Sequence, residues 1–548
     1  MIAFAKMRGF WQTSAPMKKL ATIFTLVLAA AAARAALPQP DLIAQIHFAG
    51  AQKISADPNS AAFTNEFCSA EAQALARQTL DKLARVPGAW FKSKLATGAG
   101  DGAAQLRPLL DDFLKSEWVF EARDTTNGAP EFALAIRLDD DRAQLWSKNL
   151  AAVLQDWTRI GIVQDKPGIW VLKKHLPPNL VEFSRRDGWV LINCGQNKLS
   201  LREKIAGRLL AAGAKSSEEP GWLNVDANWP RLAQWFPKLK GLGLPETRFQ
   251  VTAADANLHI DGKCFFPENL SLNLEPWRMP TNTVHQPFVS FTAVRGFSGW
   301  LKSQPWAQPG QITPAPDQLF VWALPQIPYQ TFAAVPVADA ADALGQVFTR
   351  LQPVVNSPGT AENFFTPFSL VRTNSEVLLQ GVPFVSPSLK AIREPAGQFL
   401  LAGAFPNTPR SKPLPAELFQ RLATKNLVFY HWEITAERLP QALNLSQLGL
   451  VLTSHHQLGG DSAALKWILK IAPSLGNTVT EITQTAPDQF TFARKAPGGL
   501  TAVELLALGN WLEAPNFPGC DLKLPPRPKN PRRPNPAPPG MPAPVPAK

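Results

Sequence analysis

Phe132-Ala-Leu-Ala-Ile-Arg-Leu138, then Asp139-Asp-Asp141, then Leu145, Trp146, Leu150, Val153, Leu154 and Trp157 form the stretch that decides how this chain is read. Alternation puts Phe132, Leu134, Ile136 and Leu138 on one side of a strand. The aspartates suit a helix start. One carboxylate accepts a bond from a free first-turn amide, and negative charge meets the positive end of the helix dipole. The apolar spacing beyond them is that of an amphipathic helix. Gly168-Ile-Trp-Val-Leu172 and Leu180-Val-Glu-Phe183 read as strands, and Arg185-Arg-Asp-Gly188 as a hairpin turn. Trp189-Val-Leu-Ile192 is the return strand, and residues 201–210 are a second helix.

A looser copy follows about 200 residues later. Thr331-Phe-Ala-Ala-Val-Pro-Val337 stands for the first strand, Asp339 for the cap, and Leu344, Val347, Phe348 and Leu351 for the helix. Residues 369–372, 377–380 and 398–401 supply strands, and residues 414–422 the second helix. Working outward, residues 288–294 match 42–48, and 319–323 match 118–122. The segment from Leu427 matches that from Leu223, and 478–492 match 248–266. The expected fold is α+β with two tandem related repeats, each an antiparallel or mixed β-sheet with helices packed on one face. Repeat 1 spans 37–275, a Pro-containing linker 276–287, and repeat 2 288–520. The second copy lacks most of the helical region at 70–112. The length agrees with more than one core, since single cores stop growing near ~250–300 residues.

Both ends differ from the rest. Residues 1–36 read as a signal peptide: Met17-Lys-Lys19 is the positive start, residues 20–33 the apolar core, and Ala33-Arg-Ala35 the cleavage pattern. Met17 is an alternative start, and an uncleaved anchor is the competing reading. Residues 521–548 are Pro-rich and basic, a composition that buries no core and favours polyproline character. The net charge of +12 is concentrated at these ends. The leader holds Lys6, Arg8, Lys18, Lys19 and Arg34 with no acid, and the tail six basic residues against Asp521. The near-neutral remainder carries no electrostatic footprint for nucleic acid. No later stretch is long and apolar enough to span a bilayer as a helix.

Residues with chemical potential are few. His431 and Glu433 alternate on a strand and share a face, as a base and its orienter would, or as an ordinary structural hydrogen bond. His455, His456 and Asp461 form the densest metal-ligand cluster, but adjacent residues of an extended segment point to opposite faces. Cys194 and Cys264 sit on strands of the first repeat, where an exported chain either pairs them or buries them as free thiols. Trp222, Trp229, Trp235 and Trp277 lie near loops and prolines and are the candidates for an exposed aromatic surface. There is no C-x-x-C, G-x-S-x-G or H-E-x-x-H motif, and no cofactor is implied.

The expected function is that of an exported, periplasmic or extracellular binding or assembly module, non-enzymatic, taking an envelope protein, polymer or lipidic ligand between its repeats. The alternatives are an exported hydrolase acting on an envelope polymer or peptide through His431 and Glu433, and an assembly role with the Pro-rich tail as tether.

Overall fold

The computed structural model describes residues 41–95, 102–124, 130–158, 162–166, 169–172, 180–195, 201–214, 221–235, 239, 243–285, 287–303, 312–325, 330–355, 369–382, 385–405, 415–453, 461–515 and 517–519. The expected leader, the Pro-rich tail, His455 and His456 lie outside them.

The strands of the first part are β1 Leu42–Phe48, β2 Trp118–Arg123, β3 Glu131–Arg137, β4 Ile162–Lys166, β5 Ile169–Leu172, β6 Leu180–Arg186, β7 Trp189–Gly195, β8 Leu223–Asn228, β9 Glu246–Ala254 and β10 Asn257–Phe265. Those of the second are β11 Ser290–Arg295, β12 Gln318–Ala323, β13 Thr331–Val337, β14 Ser369–Arg372, β15 Glu376–Gln380, β16 Ser388–Glu394, β17 Gly397–Gly403, β18 Leu427–Ile434, β19 Asn477–Ala486 and β20 Gln489–Ala496. The helices are α1 Ala51–Ser55, α2 Ala61–Phe67, α3 Ala70–Leu95, α4 Ala103–Lys115, α5 Asp140–Thr158, α6 Leu201–Ala214, α7 Trp229–Trp235, α8 Ser298–Ser303, α9 Ala340–Val355, α10 Ala416–Leu422, α11 Thr435–Thr453, α12 Ala463–Ile471 and α13 Ala502–Glu513.

All the strands belong to one 20-stranded sheet, and every pairing in it is antiparallel. From one edge the pairings run β4, β5, β6, β7, β3, β2, β1, β8, β9, β10. They continue β20, β19, β18, β11, β12, β13, β17, β16, β15, β14. The order therefore reads alike inward from either edge, and the two series meet where β10 pairs with β20, from Leu258 opposite Ala496 to Phe265 opposite Gln489. The expectation of a separate sheet in each part is corrected. One ladder runs through both.

Helices cover both faces, which corrects the one-face expectation. Ile136 of β3 packs with Ala143 and Trp146 of α5, while Ala133 and Ala135, pointing the other way, pack with Leu201, Ile205 and Ala206 of α6. Alanines leave room for a helix to approach the strand closely, and alternation sends them to the face opposite Ile136. The largest core lies in the second part: Phe291, Phe320, Trp322 and Phe332 from the sheet, Leu418 and Leu422 from α10, and Met279 and Val284 from the segment between the parts. A separate helical core joins the parts, with Ala72 and Leu75 of α3 against Trp467 and Ile468 of α12 and Leu505 of α13.

Local chemistry fixes the turns and starts. Asp139 accepts the Arg142 amide at 2.8 Å ahead of α5, and Asp339 accepts the Asp342 amide at 2.9 Å ahead of α9. In the β6–β7 hairpin, Asp187 and Gly188 have φ of 49° and 78°, the left-handed pair that a tight two-residue turn requires.

Candidate functional site

Between β10 and β11 the described residues, 266–285 and 287–289, form no helix or strand. Without a ladder or helix, such a segment finds partners for its buried backbone groups elsewhere, many of them on side chains. Gln318, 1% exposed, donates Nε2 to the Pro276 carbonyl at 2.8 Å and accepts the Arg278 amide at 2.8 Å. Glu394 accepts the Asn282 amide at 2.9 Å and the Thr283 hydroxyl. Arg295 donates Nε to the Leu427 carbonyl at 2.7 Å and Nη1 to the Glu275 carbonyl at 2.7 Å and the Leu274 carbonyl at 3.4 Å. The stretch expected as a linker is thus a strap, bound to the second part and supplying its core.

Beside the strap lies a cleft of about 530 Å³. Trp277, Met279 and Leu274 come from the strap, Arg295 from β11, Phe419 and Leu422 from α10, and Lys425 from the turn after it. Phe419 is 44% exposed, an unusual position for a phenyl ring unless something covers it. The Arg295 guanidinium stacks on the Trp277 ring, 4.6 Å from its centre. Arg295 is only 6% exposed and makes no ion pair among the described residues. Burial pushes its pKa down, and the charge of Asp317 opposes this. Among the described residues no acidic side chain lines the cleft.

Two smaller clefts, of about 380 and 470 Å³, adjoin the loop between α4 and β2 and are lined by both acidic and basic side chains. There Glu117 faces His47 at 3.0 Å and Arg137 at 3.7 Å, and Asp112 faces Arg142 at 2.7 Å.

His431 and Glu433 are brought together. Nε2 of His431 lies 3.3 Å from Oε2 of Glu433, without hydrogen-bond geometry, and Nδ1 lies 2.8 Å from the Thr292 hydroxyl on β11. Glu433 is 2% exposed and also accepts the Thr435 hydroxyl at 2.9 Å and the Ala502 amide at 2.7 Å. Thr292 is the member that sequence reading missed. Its only signal is that β11 and β18 are neighbours, a long-range fact.

The tryptophans separate. Trp222 is buried and donates to Asp57 at 2.9 Å, and Trp229 is half-buried and donates to Thr247 at 2.9 Å. Trp277 alone of the four lines the strap cleft, and the side chain of Trp235 lies outside the described residues. Of the metal candidates only Asp461 is described; it is exposed and 3.6 Å from Lys466. No group of three metal-ligating side chains occurs among the described residues. Neither Cys194 nor Cys264 is in a disulfide. Six strand-to-strand steps of about 4.8 Å separate β7 from β10 along the sheet, whereas a disulfide needs Cα atoms within about 7 Å, so of the two readings left open the pairing is not the one that forms. No described helix is long and apolar enough to cross a membrane.

No known family matches the chain, and no curated protein matches it. A solved structure, crystal form I of TP0453, aligns with 43% of this chain and 98% of its own at 9% identity and a TM-score of 0.20. A likeness of that degree carries no argument about fold or function.

Proposed function

We propose that this protein is an exported, non-enzymatic binding or assembly module of the cell envelope, built by tandem duplication, with its ligand or partner held at the strap cleft. The observation that carries this reading is the cleft itself: a buried cation, without an ion pair among the described residues, stacked on Trp277 beside the exposed ring of Phe419. Its size falls within the range of small-ligand sites, roughly 300–1,000 Å³. The duplication is supported by the strand order, in which β1 to β10 and β11 to β20 take corresponding places on either side of the β10–β20 junction. Export is supported by the leader pattern of the sequence.

The test is purification of the mature chain from its native envelope with mass spectrometry of everything bound to it, alongside Phe419→Glu. A reproducible bound species that is lost in the variant is the expected result. An empty wild-type protein, or a species retained equally by the variant, removes the cleft as the site.

A hydrolase is the second reading, favoured by the Thr292–His431–Glu433 array. Hydroxyl, imidazole and carboxylate in that order is the arrangement of nucleophile, base and orienter. Esterase and peptidase panels on wild type and Thr292→Ala test it. Turnover that disappears in the variant would establish it, and turnover unchanged by the substitution would dismiss it.

A further inference from the structure

We propose that the strap cleft binds an anionic amphiphile, a single carboxylate or phosphate carried on an apolar chain. This deepens the reading of the cleft as the ligand site and rests on it.

The argument starts from Arg295. A buried cation is costly unless it is hydrogen-bonded and paired. Its Nε and Nη1 are taken up by backbone carbonyls, and its face by Trp277. Nη2 has no acceptor among the described residues, and no described carboxylate pairs with the charge. Asp317 acts on it electrostatically but forms no ion pair with it among the described residues, its Oδ1 accepting the Ser298 amide at 2.9 Å. An incoming anion would gain a charge-assisted bond in apolar surroundings, where such bonds are strongest. Lys425 adds a second cation to the lining.

The remaining walls choose the rest of the molecule. Leu274, Met279, Phe419 and Leu422 offer hydrocarbon and aromatic surface. A cleft of about 530 Å³ accommodates a chain of about a dozen carbons. The two polar clefts of the first part do not share this character, because carboxylates line them beside their cations, Glu117 near Arg137 and Asp112 on Arg142. Charge complementarity therefore selects an anion, and the apolar lining selects a tail.

The experiment is calorimetric titration of the mature chain below the critical micelle concentration with laurate, dodecyl phosphate, dodecanol and dodecyltrimethylammonium. Saturable binding of laurate or dodecyl phosphate, at least tenfold tighter than that of the alcohol or the cation, is expected, and whichever of the two binds tighter identifies the head group. Phe419→Glu occupies an exposed position, so it keeps the fold, checked by circular dichroism, and lowers the affinity at least tenfold. Dodecanol binding as tightly as laurate, or laurate binding unchanged by Phe419→Glu, overturns the proposal. If the probes fail while another molecule co-purifies and is lost in Phe419→Glu, the amphiphile is wrong and the cleft reading stands. If nothing binds at all, both fall.

Discussion

Glu433, near the end of β18, accepts the backbone amide of Ala502 at 2.7 Å, across 69 residues of chain. That one bond seats the first turn of α13 on the sheet, where a carboxylate meets both an orphan amide and the positive end of a helix. Burial by itself pushes the Glu433 carboxyl up. The His431 ring, the Ala502 amide and the Thr435 hydroxyl together outweigh that and hold it below its ordinary value.

Glu433→Ala should destabilise the protein by about 3 kcal/mol at neutral pH, because it strands the buried Ala502 amide and takes away the carboxylate that the Thr435 hydroxyl bonds. A depressed folded-state value means that the stabilisation is present above the ordinary value of 4.5 and is lost as pH falls through the folded value. Urea unfolding of wild type and variant from pH 7 to pH 3 measures this. The two should converge at the acid end, and a constant gap would count against it.

Glu66 should behave in the opposite sense. It is 1% exposed between α2 and α12, its Oε2 meets no partner, and burial raises its pKa from 4.5 to about 7 despite a bond from Ser474. The folded state then keeps a proton that the unfolded state has released, so Glu66 erodes stability as pH rises from 4.5 to about 7. Glu66→Gln should therefore raise stability at pH 8, by about 3 kcal/mol at most, and flatten the profile. Thermal unfolding across that range is the check.

Gln318→Ala leaves the Pro276 carbonyl and Arg278 amide without partners, at a cost of about 1–3 kcal/mol. Loss of these bonds should also free the strap. Limited trypsin digestion is expected to cut at Arg278 in the variant well before the wild type. Equal rates would mean that Arg295 and Glu394 hold the strap without help.

The thiols should be inert. Burial pushes both Cys194 and Cys264 up to about 12, whereas Cys68 is exposed. A thiol reagent at pH 8 should modify Cys68 in the folded protein and reach Cys194 and Cys264 only after unfolding, because the thiolate is the reactive form. Peptide mapping of the modified sites decides it.

The local signals were written plainly in the chain. Asp139 and Asp339 precede helices and cap them, Asp187-Gly188 makes the hairpin, and alternation in residues 132–138 marks β3. Each depends on neighbours a few residues away. The face that α6 occupies was not legible, because Ala133 and Ala135 add little to an apolar pattern and act by leaving space. The strap was mistaken for a linker for a similar reason. The groups that pin it, Gln318 and Glu394, lie 40 and 112 residues from the amides they accept. Arg295 reads as a solvated strand end until Trp277 and three carbonyls are seen around it. Buried glutamates such as Glu433 defy the usual exposure of their type, and only long-range partners explain them.

The junction of β10 with β20 has a kinetic consequence. As the chain is made, β10 can pair with β9 at once, but its other edge must wait for β20, the last of the described strands. Until then Leu258 and Ile260 lie beside an unfinished ladder, and α3 still lacks α13, one of the helices in its core. Contacts so distant in sequence form slowly, and an open edge invites pairing with other chains. A chain ending at residue 476, before β19, should accordingly aggregate on refolding where the full chain does not, and light scattering would show it. In the cell the nascent protein needs shelter for its β10 edge until its final segment emerges.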